Sequence, residues 1–228
     1  IINNSHNVGL TKSLNIGLRH CQATYVARLD ADDLWLPDKL SKQITYLTHH
    51  PGCGLVGCWY VNRGVRSVRL FNLPVTDSAI RRQIYRLNPF GHSCVIIKRE
   101  LLVAVGGYDE SVPISQDRDL WFRLLPLTSF YNLPVILCQR QTATGLSRHR
   151  YRRQMWQSIK IRSRYIHRHR ASVFNYIFLI LPLLIMLQPS FLKKPSRASK
   201  LPSCPSPSDS LNSFPHPIQL CIINDRPL

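Results

Sequence analysis

Three carboxylates, Asp30, Asp32 and Asp33, fall within four residues directly after the run Thr24-Tyr25-Val26-Ala27-Arg28-Leu29. Like charges this close repel, so a fold keeps them where a cation or a set of hydrogen-bond donors compensates. Hard divalent ions such as Mg²⁺ and Mn²⁺ take oxygen ligands of this kind, usually one or two carboxylates shared with substrate phosphates. The plain alternative is a solvated acidic turn at a strand end. An EF-hand calcium loop starting at Asp30 needs Gly at its sixth position and Glu at its twelfth. Trp35 and Ser41 stand there, which excludes it. A phosphatase using the first Asp of a strand-end Asp-x-Asp as nucleophile stays open. Arg28 is either a phosphate contact or the ion-pair partner of Asp30.

The elements that must position these groups follow from periodicity. Leu10, Leu14, Gly17 and Leu18 recur at helical spacing, with Thr11 or Ser13 available as caps. The β-branched and aromatic stretch 24–29 reads as a buried strand feeding the acidic turn. Pro37 opens a second helix, where its missing N–H costs nothing, and Leu40, Ile44 and Leu47 form that helix's buried stripe. Residues 54–61 are a further apolar strand, 62–87 are basic and irregular before a weak helix over 77–86, and His92 to Lys98 reads as a strand. Arg99 to Val105 is a short helix closed by Gly106-Gly107, Ser115 caps a helix from Gln116 to Leu125, and 130–138 is a last strand that Pro134 places near an edge. Strands alternating with helices predict an α/β sheet.

Length and charge bound the rest. At 228 residues the chain has room for one sizeable core and a small appendage. The net charge of +18 is unevenly spread: residues 1–140 hold 16 Lys/Arg against 10 Asp/Glu, whereas 141–171 hold nine Lys/Arg and no acid. That localisation argues for a surface-binding appendage and against a protein that coats nucleic acid. The seven cysteines contain no Cys-x-x-Cys pair, so reduced, buried thiols are expected.

With these residues in place, the chain resembles the family 2 glycosyltransferases, nucleotide-sugar enzymes of the GT-A fold. Five stretches carry the resemblance. They are Asn7-Val8-Gly9 through Leu14-Asn15-x-Gly17, Ala27 to Asp33 with Pro37, Asn88-Pro89-Phe90-Gly91-His92, Gly106-Gly107-Tyr108-Asp109-Glu110, and Gln116 to Arg123. Each is weak alone, but their order, with 87 residues between Asp30 and Asp117, makes them jointly specific. The resemblance implies that Asp30 and Asp32 hold a divalent metal (Mn²⁺ or Mg²⁺) and the donor's diphosphate, with Asp33 supporting them. It implies that Asp117 is the catalytic base of an inverting displacement. Many relatives carry Glu before that Asp where this chain has Gln116. Arg28, His92 and Trp121 are candidate donor- or acceptor-side contacts, although a tryptophan one turn after Asp117 is more often core and His92 more often fixes a loop. A nucleoside-diphosphate sugar as donor and a glycan or lipid-linked acceptor follow from the same resemblance. Relatives also begin with strands that have no counterpart here, about 50 residues of an ordinary domain, so unpaired sheet edges and an inactive or unstable polypeptide are expected.

Beyond the domain, residues 148–170 place Tyr151, Met155, Ile159 and Ile166 at helical spacing among nine Arg/Lys. This is a basic amphipathic helix suited to an anionic membrane surface. No nucleic-acid-binding motif competes with that partner. Val173 to Leu187 is apolar but only 15 residues long and broken by Pro182, short of the ~20 needed to span hydrocarbon. The expected organisation is therefore a partial GT-A α/β domain over 1–147, a basic and hydrophobic membrane-associating segment over 148–192 at the cytoplasmic face, and a disordered Pro/Ser-rich tail over 193–228. A non-catalytic membrane-binding remnant and a haloacid-dehalogenase-like phosphatase are the alternatives.

Overall fold

The computed structural model describes residues 2–64, 68–141, 148–180, 183 and 220–225. Helix α1 (Leu10–His20) leads into β1 (Tyr25–Asp30), followed by the two-residue strand β2 (Leu34–Trp35) and helix α2 (Lys39–His49). Then come β3 (Cys53–Arg63), β4 (Val68–Phe71), α3 (Asp77–Gln83), β5 (Ile96–Lys98), α4 (Arg99–Ala104), α5 (Gln116–Leu124) and β6 (Ser129–Gln141). Helix α6 (Arg148–Arg168) and the short strand β7 (Leu220–Asp225) complete the described elements.

The strands form one sheet in the order β2-β6-β3-β5-β1-β7, with β4 paired to β3. β1 runs parallel to β7 and antiparallel to β5, β5 is antiparallel to β3, and β3 is parallel to β6. The C-terminal ends of β1, β3 and β6 therefore share one edge. Neighbouring residues alternate between two cores, as a pleated strand requires. Val26, Leu55 and Ile97 join α1, α5 and α6 on one face, while Ala27, Val56 and Ile96 pack on α2 at the other.

Several expectations change on contact with the fold. His92–Cys94 is a 3-10 turn and only Ile96–Lys98 is strand, because the side chains of His92 and Ser93 are tied to other elements. Thr11 does not cap α1; its hydroxyl donates to the Val112 carbonyl. Pro37 lies two residues ahead of α2. Ser115 does stand at the start of α5, but in the left-handed region (φ 61) with no side-chain capping bond. Pro134 falls where the β3–β6 register slips between Leu133 and Ile136, a bulge that absorbs its missing donor.

The tail is not wholly disordered. β7 lies within it and pairs with β1 over six residues, Tyr25↔Leu220 to Asp30↔Asp225, so the β1 edge expected to be open is covered. The rest of 193–228 falls outside the described residues. Cys53, Cys58, Cys94 and Cys138 are free and buried as expected, but Cys21 is disulfide-bonded. Among the described residues no helix is long and apolar enough to cross a membrane.

Candidate active site

β1 delivers the acidic turn to the shared sheet edge. There Asp30 is almost fully engaged: Oδ1 pairs with Nη1 of buried Arg28, and Oδ2 accepts a 3.0 Å bond from the Ser93 hydroxyl. The same hydroxyl accepts from the Asp30 amide (2.9 Å) and from Arg28 Nη1 (3.3 Å), which uses its one donor and two lone pairs. Arg28 is thus the ion-pair partner of Asp30. Among the described residues its Nε and Nη2 are buried without a partner, two donor nitrogens beside the carboxylate that suit an anionic ligand.

Asp33 supports the turn by reaching across to β6. Its Oδ1 accepts from the Gln141 amide (3.0 Å) and its Oδ2 from Arg140 Nε (3.2 Å). Burial raises its carboxyl above the ordinary range, against the lowering effects of Ser93, Arg140 and Gln141. Asp32 is exposed and makes no hydrogen bond or ion pair among the described residues. No group of three or more His, Cys, Asp or Glu among those residues could enclose a metal by itself. One free carboxylate beside compensated neighbours instead fits a Mg²⁺- or Mn²⁺-type ion that completes its shell with phosphate oxygens.

Asp117 occupies the first turn of α5, where a carboxylate complements the helix dipole. Asn88 Nδ2 donates to its Oδ2 at 2.7 Å, and among the described residues its Oδ1 has no hydrogen-bond partner. The glycine-rich motif from Gly106 to Glu110 is pinned to α1. Gly107 (φ 74) brings the chain so close to Asn15 that a Cβ would sit 2.6 Å from its Oδ1. Asn15 in turn donates to the Tyr108 carbonyl (2.8 Å) and accepts from its amide (2.8 Å). Tyr108 then meets His92 Nε2 at 2.9 Å.

Tyr108 links the two acidic sites electrostatically. Burial raises its phenol first, and Arg28, Asp117 and Asp30 all act on it as well. A second bridge runs through Tyr60, whose phenol is pushed up to about 12 by burial first, with Arg140 and Asp117 both in reach. Arg140 lies 5.3 Å over the Tyr60 ring. The segment from Asn88 to Ser93 holds both acidic sites, Asp117 through Asn88 and Asp30 through Ser93.

His92 and Trp121 belong to the packed interior. His92 is buried, and desolvation, then Arg28 and Arg140, hold its imidazole well below the ordinary value, so it is neutral. Trp121 is fully buried, packed edge-on to Phe90 and His92, with Nε1 unpartnered. Neither presents an open face in this conformation, which departs from a direct substrate contact. Sequence reasoning did not single out Ser93, Tyr60, Tyr108 or Arg140. Tyr108 lies inside the motif from Gly106 to Glu110, and Ser93 directly follows the motif that ends at His92. Arg140 had no local signal, being 107 positions from the Asp33 it holds.

The chain is similar to known glycosyltransferases. The model of the glycosyl transferase family 2 matches residues 1–105. Among curated proteins, the amylovoran biosynthesis glycosyltransferase AmsE of Erwinia amylovora is 33% identical over 156 residues, covering 68% of this chain and 57% of that protein. The putative glycosyltransferase EpsE of Bacillus subtilis is 29% identical over 200 residues, covering 83% and 69%. The chain thus spans little more than half of AmsE and of an uncharacterized Haemophilus influenzae glycosyltransferase, of which it covers 61%. In fold it resembles the mannosyltransferase PcManGT of Pyrobaculum calidifontis, solved with GDP-Man and Mn2+, with a TM-score of 0.56 at 19% identity over 80% of this chain and 55% of that one. The S. aureus TarS 1-349 structure follows at 0.51, 14% identity, 73% and 53%. These matches leave the phosphatase alternative without support. Over residues 1–105 the chain matches the family 2 glycosyltransferases, and its α/β sheet is of the GT-A type.

Proposed function

We propose that the protein moves a sugar from a nucleoside-diphosphate donor to an acceptor hydroxyl with inversion, in the synthesis of a cell-surface polysaccharide or glycoconjugate. Asp32, with Asp30 behind it, would hold a divalent metal against the donor diphosphate, and Arg28 adds a buried positive charge beside that site. When bound, such an ion stabilises the charge that builds on the departing diphosphate as a Lewis acid. Asp117 takes the proton from the acceptor hydroxyl, and Asn88 fixes the plane of its carboxylate. One positioned base with no second nucleophile suits a single inverting displacement. The neutral His92–Tyr108 pair keeps the segment from Asn88 to Ser93 rigid and uncharged. The acceptor is a glycan or a lipid-linked glycan met at the cytoplasmic face of a membrane.

The observation that carries this reading is the segment from Asn88 to Ser93, which bonds Asp117 through Asn88 and Asp30 through Ser93. The amylovoran biosynthesis named with AmsE supports the biosynthetic context, and the Mn2+ named with PcManGT supports the metal. The test is release of nucleoside diphosphate by the purified chain from a panel of UDP- and GDP-sugars, with and without MnCl₂. Manganese-dependent release that Asp117→Asn lowers by about 10²–10⁴-fold is the expected result. No release from any sugar, or turnover indifferent to Asp117→Asn, contradicts the proposal.

A further inference from the structure

The basic helix cannot lay its apolar stripe into a bilayer, because the fold has already used it. Ile159, Ile161, Tyr165 and Ile166 of α6 are buried in the main core, with Tyr165 donating to buried Asp119 at 2.9 Å. The surface changes character just beyond the last turn of α6. Val173 and Phe174 are 73% and 79% exposed, and Ile177 and Ile180 are 60% and 51% exposed. An open apolar group of this kind marks an interaction surface.

A cleft of about 550 Å³ adjoins it, lined by Ile166, His167, Arg168, Arg170, Val173 and Tyr176. Arg170 is in the left-handed region (φ 50), where helix ends ordinarily place glycine. Its amide donates to the His167 carbonyl (3.1 Å) and the Ala171 amide to Ile166 (3.0 Å), so the closing turn holds a guanidinium at a position unfavourable for it. Arg162 fixes the exposed segment to the domain by donating from Nη1 to the carbonyls of Phe178 (3.1 Å) and Tyr85 (3.3 Å). The chain has no Asp or Glu between Asp119 and Asp209, so no acid of this segment offsets its charge. Among the described residues, α6 makes an ion pair only at Arg164, with Asp109 at 4.0 Å.

We propose that this surface, and not the stripe of α6, docks the protein on an anionic lipid bilayer. Arg168 and Arg170 face the headgroup phosphates, while Phe174, Ile177 and Ile180 enter the acyl boundary. A nucleic acid would satisfy the arginines and leave the apolar half uncovered. The inference rests on the membrane-face reading above and is independent of the transfer chemistry.

Co-sedimentation of the full chain with vesicles tests it, using phosphatidylcholine alone or with about 30% phosphatidylglycerol at physiological salt. Binding should need the anionic lipid. The double variant Phe174→Glu/Ile177→Glu should lower affinity by roughly tenfold or more. Arg168→Ser and Arg170→Gly, the latter suited to the backbone, should each cost about fivefold. Arg152→Ser/Arg153→Ser, on the exposed side of α6, should cost less than about twofold. The proposal is overturned by an absence of vesicle binding, by wild-type affinity in the Glu double variant, or by equal losses in the α6 pair. Oligonucleotide binding as tight as vesicle binding and indifferent to the Glu variant overturns it too. Each variant is also checked by circular dichroism and by Mn²⁺-dependent pyrophosphate binding without vesicles. Intact vesicle binding without pyrophosphate binding would sink the transferase reading and leave the docking surface standing.

Discussion

Around Asp30 the protein supplies almost every counter-charge before any ligand arrives, whereas Asp117 is held by one amide. Arg28, Ser93 and Arg140 compensate Asp30 and Asp33, leaving Asp32 as the free carboxylate of the turn. Among the described residues the Asp117 side chain bonds to Asn88 alone. The difference matches two kinds of work. A metal–diphosphate site gains from fixed charges aimed at the ligand, because they need not reorganise when it binds. A base must keep an oxygen open for the proton it takes.

Breaking the compensated side should cost the fold most. Arg28→Ala leaves Asp30 without its buried partner, and a denaturant midpoint should report roughly 2–4 kcal/mol. That is somewhat below the usual cost of orphaning a fully buried charge, since the Asp30 side chain is 29% exposed. Ser93→Ala removes the three-way hydroxyl and should cost about 1–3 kcal/mol in the same measurement. If either variant is as stable as wild type, the turn is not pre-compensated and the contrast between the two sites fails.

The pH response sharpens the same comparison at the segment that bonds both sites. His92 is neutral when folded and its proton affinity is restored on unfolding, toward the ordinary value of 6.5. Stability should thus be fully present above about pH 6.5 and fall as pH drops below it, by at most about 1.4 kcal/mol per pH unit from this one group. Half-buried His169, also lowered by desolvation and Arg168, adds to the slope with the same sign. Melting curves between neutral and mildly acidic pH check this, and His92→Gln should flatten the slope. Asn88→Ala should do least to the fold, about 1 kcal/mol or less, yet still slow turnover by misaligning Asp117.

What could be read from the sequence was local. Apolar spacing located α1, α2 and the strand that ends in the acidic turn, Ser115 marked the start of α5, and the order of five motifs pointed to the family. What could not be read was which distant groups meet. Nothing near Arg140 announces its bond to Asp33, and the apolar run His92 to Lys98 hides a turn imposed by Tyr108 and Asp30. Amphipathicity showed that α6 has an apolar face but not what covers it; the core does, and the exposed apolar surface lies one turn later. The Pro/Ser-rich character of the tail concealed Leu220–Asp225, whose pairing with β1 is a long-range contact. The left-handed Ser115 likewise reflects the loop it closes, and its side-chain type alone suggested a cap.

The central claim is that Asp32 and Asp117 do different jobs, and calorimetric titration of pyrophosphate in the presence of MnCl₂ tests it most directly. Wild type and Asp117→Asn should bind pyrophosphate alike, and Asp32→Asn should lose the manganese-dependent part. Unchanged manganese-dependent binding in Asp32→Asn, or its loss in Asp117→Asn, would contradict the assignment.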